Sequence, residues 1–374
     1  AFLAQRAIDA LEAQPRDGRP FYLQLDFFGP HQPFGIPAGY EMREQELRKS
    51  VRLPQSYQRL LENDFQASQP EPRVYRTYRR SLGMQDPETA KDYLVAHVLQ
   101  FELMDQMIGR VLDYLKARGC YEETWVIYAS DHGEMNCEEA LIDKGAFLNP
   151  RTIGVPIVIK PPVGASDSFA GSEVAQPVSL LDLAPTVLAL AGITVPERCD
   201  GQDLLATLRG VPRPDDKPIL FEIWSHVVPN PSIGLVFQAR DGRHYMYTFN
   251  LTDDVDELYL LAERPGLHNL IADEQSADIR LEALRRMRQA LRADPRWRGY
   301  VSAFDIEYAQ ELSLSLGDRQ IFFGLSSSRR ESATNSSRVL SATLRAGLVP
   351  SYPAQCWASD SIASCVAEPL SPVV

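Results

Sequence analysis

Hydrophobic residues recur at helical spacing in several parts of the chain. The clearest case follows Pro87, where apolar side chains return every three or four residues until Gly119, a residue suited to end a helix. Phe2–Ala13 and Ala277–Ala293 show the same amphipathic pattern. Ser179 and Asp182 form a capping-box sequence before an apolar stretch that ends at Gly192. The pattern therefore predicts four helices.

Short apolar runs rich in β-branched and aromatic residues alternate with these helices. We predict strands at Phe21–Phe28, Thr124–Ala129 and Val155–Ile159. Strands and helices that alternate in this way favour a doubly wound α/β fold, with a mostly parallel sheet that is covered on both faces. Between residues 35 and 87 the sequence is polar, lacks sustained periodicity, and indicates a long excursion with room for a short helix.

The pattern changes after residue 210. Short runs at Ile219–Ile223, Gly234–Ala239 and Tyr245–Phe249 are separated by turn residues and followed by the predicted helix at Ala277–Ala293. This order indicates a small α+β subdomain with an antiparallel sheet. We therefore predict a domain over residues 1–210, a subdomain over 211–299, and a Ser-rich, poorly ordered tail over 300–374.

Composition narrows the function classes. The net charge of −12 repels polyanions, so binding of nucleic acid through bulk charge is not expected. The most apolar window, residues 178–195, contains Asp182 and Pro185, which favours a buried helix over a membrane span. Five cysteines without metal-ligand spacing indicate neither a disulfide framework nor a zinc site. Because Phe2–Ala13 already has helical character, we expect the chain to begin inside a domain.

Two polar clusters follow predicted strands, where ligands gather in open parallel sheets. The first is Gly29–Phe34, which contains His31, and the second is Ser130–Glu134, with Lys144 further along. Adjacent Asp131 and His132 offer one oxygen and one imidazole donor, which suits Ca²⁺, Mn²⁺ or Zn²⁺. By itself the pair is equally compatible with a capping aspartate beside a hydrogen-bonded histidine.

Five sequence blocks, taken in chain order, resemble the sulfatases of the alkaline phosphatase superfamily. They lie between about residue 20 and residue 295, and they read FFGPHQPF, YASDHGEMNCEEALIDKGAF, RTIGVPIVIKPP, VSLLDLAPTVLALAGITVPERCDGQDL and DELYLLAERPGLHNL. The resemblance implies an alkaline phosphatase-like α/β fold, incomplete at its N-terminus, with the small C-terminal α+β subdomain.

The resemblance also implies roles for individual residues. Asp131 and His132 would be two of the metal ligands, with Ca²⁺ as the first candidate and Mn²⁺ as the second. His31 would contact the sulfuryl group and assist protonation of the leaving group. Lys144 would bind the same anion and stabilise charge on the leaving oxygen. His226 falls where family members place loops that contact substrate.

The sequence departs from the family pattern at the nucleophile. The family uses Cys or Ser in C/S-x-P-x-R, with the Cys or Ser matured to formylglycine, and no cysteine of this sequence is followed by x-Pro. We therefore expect the formylglycine in a preceding segment and expect this chain alone to be inactive. Gly29 replaces a common aspartate, and Cys137 and Glu139 replace a glycine and a histidine, which we expect to change the rim of the pocket.

The expected function is metal-dependent hydrolysis of a small-molecule or glycan sulfate ester. One alternative is a phosphodiesterase or phosphonate monoester hydrolase of the same superfamily, and another is a non-catalytic sulfatase-like binding protein. Nothing in the sequence identifies the substrate, the oligomeric state or the compartment. Among other candidates, His97 is expected to be a packed core residue, whereas Arg151 is as suited to holding a buried carboxylate as to touching substrate.

Overall fold

The fold is described by a computed structural model, which covers residues 1–15, 17–165, 171, 173–211, 218–251, 255–262, 268–297, 299–301, 304 and 305. The α-helices are α1 (Phe2–Ala13), α2 (Glu41–Ser50), α3 (Gln55–Glu62), α4 (Arg73–Ser81), α5 (Pro87–Ala117), α6 (Pro150–Ile153), α7 (Leu183–Leu190), α8 (Leu204–Leu208) and α9 (Ala277–Ala293). Short 3₁₀ helices cover Glu138–Ala140, Leu180–Asp182, Leu270–Ala272, Glu274–Ser276 and Pro295–Trp297. The strands are β1 (Val126–Ala129), β2 (Ile157–Lys160), β3 (Ile219–His226), β4 (Val228–Gln238), β5 (His244–Asn250) and β6 (Glu257–Leu260).

The longest helix of the first half, α5, has ends that its sequence explains. Asp86 accepts hydrogen bonds from the first backbone N–H groups of α5, and Pro87 occupies its first turn. Gly119 ends the helix in the left-handed conformation (φ +78°). The apolar faces of α1 and α5 pack on each other through Ala4, Ala7, Leu11, Val111 and Leu115. The predictions of both helices are confirmed.

The polar excursion contains three helices, α2 to α4, so the prediction of a single short helix is wrong. Each of these helices buries only a few residues: α2 buries Leu47, and α3 buries Ser56, Tyr57 and Leu60. Such short contacts leave no repeated period in the sequence. The buried face of α4 is Val74, Tyr75, Tyr78 and Arg79, which places an arginine inside the protein.

The two strands of the first half pair antiparallel, with Val126 opposite Lys160 and Ala129 opposite Ile157. The prediction that these runs belong to a parallel sheet is wrong, because an apolar run carries no information about the direction of its neighbour. Phe21–Phe28 forms neither a helix nor a strand in the described part of the chain, which corrects the prediction of a strand there. The described elements combine helices and strands, as the predicted α/β class requires.

The C-terminal part forms a four-stranded antiparallel sheet in the order β3-β4-β5-β6, and α9 packs on it. The predicted strands and helix are confirmed, while β6 was not predicted, because its sequence was assigned only to the block DELYLLAERPGLHNL. The core between sheet and helix contains Leu235, Tyr247, Leu258, Ala283, Leu284 and Met287. The apolar residues that alternate along the strands and those at helical spacing in α9 therefore pack in one core.

The subdomain shares a second core with the preceding part of the chain. Leu148 packs against Val236 and Met246 of the sheet. Tyr300 and Phe304 belong to the subdomain core, although the predicted tail begins at residue 300. Residues 306–374, the rest of that tail, lie outside the described residues, so the tail and the domain boundaries stay predictions.

No helix in the described part of the chain combines the length and the apolar character needed to cross a membrane. Cys120, Cys137 and Cys199 are free thiols, and Cys356 and Cys365 lie outside the described ranges.

Candidate active site

Three segments that are far apart in the sequence bring the candidate residues together. Nζ of Lys144 lies 2.9 Å from Nε2 of His31, across 113 residues of chain. The rings of His31 and His132 are 6.0 Å apart in an edge-on arrangement. His226, at the end of β3, places its Nε2 2.9 Å from Oδ2 of Asp143. The fold therefore brings His31 to Lys144 and brings His226 to Asp143, the residue next to Lys144.

The hydrogen bonds of His31 define its tautomer. Its Nδ1 lies 2.9 Å from the carbonyl oxygen of Gln32, an acceptor, so Nδ1 carries the proton. Nε2 is then the acceptor of the hydrogen bond from the Lys144 ammonium. One N–H of Lys144 is used in this way, and further N–H groups of the ammonium are available to an anion.

The backbone around Lys144 is held in an unusual conformation. Asp143 has a left-handed φ of +67°, and its Oδ1 accepts the backbone N–H of Lys144 at 2.7 Å. Gly145 also has positive φ (+60°), and a Cβ there would lie 2.0 Å from the ring of Phe147. These constraints fix the point from which the lysine side chain leaves the loop.

Asp131 and His132 offer a two-donor arrangement for a divalent ion. Nδ1 of His132 lies 2.9 Å from the carbonyl oxygen of Gly133, which leaves the lone pair on Nε2. That Nε2 is 3.6 Å from Oδ2 of Asp131. Two ligands of one ion at about 2.1 to 2.4 Å lie roughly 3 to 4 Å apart, so the donors fit a shared ion. Among the described residues, no cluster of three His, Cys, Asp or Glu side chains is placed to hold a metal.

Gly133 is required because two backbone segments meet at this position. Its N–H donates to the carbonyl of Thr152 at 2.7 Å, and a Cβ would lie 2.0 Å from the carbonyl oxygen of Arg151. The glycine thus allows two backbone segments to touch directly behind Asp131 and His132.

Residues 134–145 form a buried loop that side chains from the preceding helices hold in place. Ser56 of α3 donates to the Glu138 carboxylate and accepts the N–H of Glu139. Arg79 of α4 donates from Nε to the carbonyl of Glu139 at 2.7 Å and pairs with both carboxylate oxygens of Glu71. The loop also contains five non-glycine residues with positive φ, namely Asn136, Cys137, Glu139, Ala140 and Asp143.

Burial changes the acid–base properties of several groups in this loop. Desolvation raises the pKa of Glu134 and of Glu139, because the charged carboxylate loses water. It also raises the pKa of the Cys137 thiol far above its usual range. Cys137 is fully buried in the core, so the expectation that it shapes the pocket rim is wrong. A protonated, inaccessible thiol is unsuited to act as a nucleophile.

His97 and Arg151 both have structural roles. His97 is buried, with Nδ1 2.6 Å from Oδ1 of Asn136, and burial lowers its pKa. Arg151 forms an ion pair of 3.2 Å with Glu138. The prediction of His97 as a core residue is confirmed, and Arg151 holds a largely buried carboxylate.

Asp143, Tyr78 and Arg79 are important neighbours of the site that sequence reasoning missed. The hydroxyl of Tyr78 donates to the backbone carbonyl of His226. Burial, together with the nearby Asp143 carboxylate, raises the pKa of the Tyr78 phenol. Val74 and Tyr78 lie four residues apart, as do Tyr75 and Arg79, and this spacing is the signal that could have identified a buried helical face.

Two family models match the sequence. Residues 1–193 match the model described as Sulfatase, and residues 137–293 match that described as N-sulphoglucosamine sulphohydrolase, C-terminal. The uncharacterized sulfatase YidJ of Escherichia coli (strain K12) is 31% identical over 284 residues, which are 74% of this chain and 52% of that protein. Choline-sulfatase of Rhizobium meliloti (strain 1021) is 27% identical over 288 residues, 71% of this chain and 51% of that protein. The chain thus spans about half the length of these curated relatives.

Solved structures share the fold. Phosphonate monoester hydrolase SpPMH from Silicibacter pomeroyi has a TM-score of 0.59 at 22% identity, covering 80% of this chain and 61% of that chain. A protein solved in complex with its substrate D-glucosamine-2-N,6-O-disulfate has a TM-score of 0.57 at 18% identity, covering 78% and 69%. At these identities the similarity establishes the fold alone.

Proposed function

The chain belongs to the sulfatase family of the alkaline phosphatase superfamily, and from this premise we propose that its whole protein hydrolyses sulfate esters. The observation that carries the proposal is the 2.9 Å contact between Lys144 and His31, with His132 beside it. An ammonium and two imidazoles in one cluster suit a tetrahedral anion whose charge moves onto a departing oxygen.

Lys144 and His31 have different roles at the bound anion. The remaining N–H groups of the Lys144 ammonium bind sulfuryl oxygens and stabilise charge on the leaving oxygen. Nε2 of His31 accepts one N–H of this ammonium and orients it, so a second N–H of Lys144 is the one suited to pass its proton to the leaving oxygen. His226 contributes a further imidazole to the substrate side of the pocket.

Asp131 and His132 would hold the divalent ion, with Ca²⁺ as the first candidate and Mn²⁺ as the second. Their separation of 3.6 Å supports this assignment. When bound, the ion supplies charge neutralisation for the sulfuryl oxygens. Ca²⁺ takes about six to eight oxygen ligands, so other groups must complete the site.

The attacking group would be a formylglycine, which the 374 residues of this sequence do not supply, because they contain no C/S-x-P-x-R sequence. We propose that these residues alone bind sulfate but do not turn over sulfate esters. Activity is expected only from a protein that joins them to such a nucleophile.

The substrate is proposed to be a small-molecule or glycan sulfate ester. Relatives named for such substrates support this class, including choline-sulfatase and the ulvan-active sulfatase of Formosa agariphila. A second candidate is hydrolysis of phosphate diesters or phosphonate monoesters. It is supported by PehA of Trinickia caryophylli, named a multifunctional alkaline phosphatase superfamily protein, which is 29% identical over 219 residues.

The test uses the protein encoded by the complete reading frame that contains these residues. 4-Nitrophenyl sulfate competes with bis(4-nitrophenyl) phosphate, and kcat/KM is measured for each. Lys144→Ala is expected to lower kcat/KM for the sulfate ester by about 100- to 1000-fold, as loss of a charge-stabilising donor does.

The matched control for this test is Lys116→Ala, a lysine on the exposed side of α5 that pairs with Asp113. It is expected to leave the rate unchanged. A preference for the phosphate diester contradicts the sulfatase proposal, and binding of sulfate without any turnover indicates a non-catalytic binding protein.

A further inference from the structure

The C-terminal subdomain reaches the candidate site through one side chain. His226 is the last residue of β3, and its Nε2 lies 2.9 Å from Oδ2 of Asp143 in the buried loop. The contact joins residues that are 83 positions apart in the chain. A residue of the four-stranded sheet is thus held next to the lysine of the anion cluster.

Asp143 is shared between Lys144 and His226. Its Oδ2 accepts from His226, while Oδ1 accepts the backbone N–H of Lys144 at 2.7 Å and lies 3.8 Å from Nζ of Lys144. The Asp143 side chain is only 10% exposed, so solvent does not compete strongly for its oxygens. A single buried carboxylate therefore sets the positions of both groups.

The backbone on both sides of this contact is constrained. Tyr78 donates its hydroxyl hydrogen bond to the carbonyl of His226, and the next residue, Val227, has a φ of +64°. A β-branched residue rarely adopts this conformation, and Asp143 is left-handed as well. Strained residues of this kind persist where the surrounding structure holds a functional geometry.

The carboxylate also determines which ring nitrogen of His226 faces other partners. Because the Asp143 carboxylate accepts, Nε2 of His226 carries a proton. Within the described part of the chain, Nδ1 of His226 has no hydrogen-bond partner, and its side chain is 30% exposed. Nδ1 is the ring atom left for a bound substrate.

We propose that Asp143 is a positioning residue, which holds Lys144 and His226 at one anion pocket and so makes the C-terminal subdomain part of the substrate site. This inference rests on the proposed function of the His31–Lys144 cluster. In this arrangement Lys144 binds the anion directly, and His226, which takes up a second proton from solvent as the anion binds, donates from Nδ1 to an oxygen of the bound ester. Asp143 itself does not touch the substrate.

The experiment separates the two nitrogens of His226. His226→Gln keeps an N–H that can donate to Asp143 but removes Nδ1, whereas Asp143→Asn keeps the shape and removes the charge. Each variant of the full-length protein is expected to lower kcat/KM for 4-nitrophenyl sulfate by about 10- to 100-fold. The dissociation constant for inorganic sulfate, measured by calorimetry, is expected to rise in both.

Further measurements distinguish positioning from a structural role. The thermal midpoint of His226→Gln is expected to match that of the wild type, and the double variant to be no worse than either single variant. The matched control is His268→Gln, an exposed histidine of the subdomain, which should leave both constants unchanged. Wild-type constants in His226→Gln and Asp143→Asn, or additive losses in the double variant, would overturn the inference.

The design also separates this inference from the proposed function. If the wild type hydrolyses only phosphate diesters, the sulfatase proposal fails, and losses of that activity in the same variants still support the role of Asp143. If the wild type hydrolyses sulfate esters and the variants match it, the role of Asp143 fails alone. If the wild type neither binds sulfate nor hydrolyses either ester, both proposals are wrong.

Discussion

The buried loop of residues 134–145 and the sheet of the C-terminal subdomain are both interior, yet they are ordered in opposite ways. In the sheet, β4 and β5 pair over seven consecutive positions, from Ser232 with Asn250 to Gln238 with His244. In the loop, five non-glycine residues have positive φ, and side chains of other helices bind its backbone. The comparison indicates that apolar packing stabilises the sheet, whereas a few polar contacts set the geometry of the site.

The largest expected effect concerns Arg79, which is 1% exposed and pairs with Glu71. We expect Arg79→Met to lower the free energy of unfolding by about 3 to 5 kcal/mol, because it leaves a buried carboxylate without its partner. It should also weaken sulfate binding, since the carbonyl of Glu139 loses its donor. Urea unfolding and calorimetry measure the two effects.

The matched control for Arg79 is Arg43, which forms a comparable two-pronged contact with Glu102 at the surface. Arg43→Met is expected to change neither stability nor sulfate binding measurably, because exposed ion pairs contribute little. Equal destabilisation by the two variants would show that the buried network does not distinguish the loop from the surface.

An intermediate effect is expected in the subdomain core. Leu284 of α9 is 2% exposed, and Leu284→Ala should cost about 2 to 5 kcal/mol in unfolding free energy through lost packing and a residual cavity. Well below the unfolding midpoint, its affinity for sulfate should equal that of the wild type. Leu61→Ala, at an exposed leucine, is the control. Weaker sulfate binding in folded Leu284→Ala would contradict the separation of packing from site geometry.

The smallest effect is a change in pH dependence. Desolvation raises the pKa of Glu139 above its ordinary 4.5, so the folded chain holds this proton more tightly than the unfolded chain. The stability that comes from the protonated carboxyl is present below pH 4.5 and is lost as the pH rises through the folded pKa. In Glu139→Gln the unfolding free energy should therefore fall less steeply above that pH, as urea midpoints would show. If the unfolding free energy depends on pH in the same way in the wild type and in Glu139→Gln, protonation of Glu139 does not contribute to stability.

The sequence predicts the regular part of this comparison well. The helices α1, α5 and α9 follow from hydrophobic spacing and end signals, and three of the four subdomain strands follow from apolar runs between turns. Each of these signals is local, because it depends on residues within one element. The antiparallel pairing of β1 and β2 could not be predicted, since it depends on the path of the chain between them.

The site was predictable only in part, and for the same reason. His31, Asp131, His132, Lys144 and His226 were found through their similarity to family blocks or to the position of substrate-contacting loops. Asp143 was missed, although it contacts both Lys144 and His226, because an aspartate beside a lysine carries no recognisable pattern. Its importance comes from burial and from a partner 83 residues away, and neither is visible in a short window of sequence.

The sequence distances within the cluster have a consequence for synthesis on the ribosome. The contact of His31 with Lys144 spans 113 residues, and the contact of Asp143 with His226 spans a further 83. The chain leaves the ribosome with its N-terminal end first, so His31 and then Lys144 emerge long before the last strands of the sheet are translated. The nascent protein therefore has no complete anion pocket, and translation past His226 is the step that allows the pocket to be assembled.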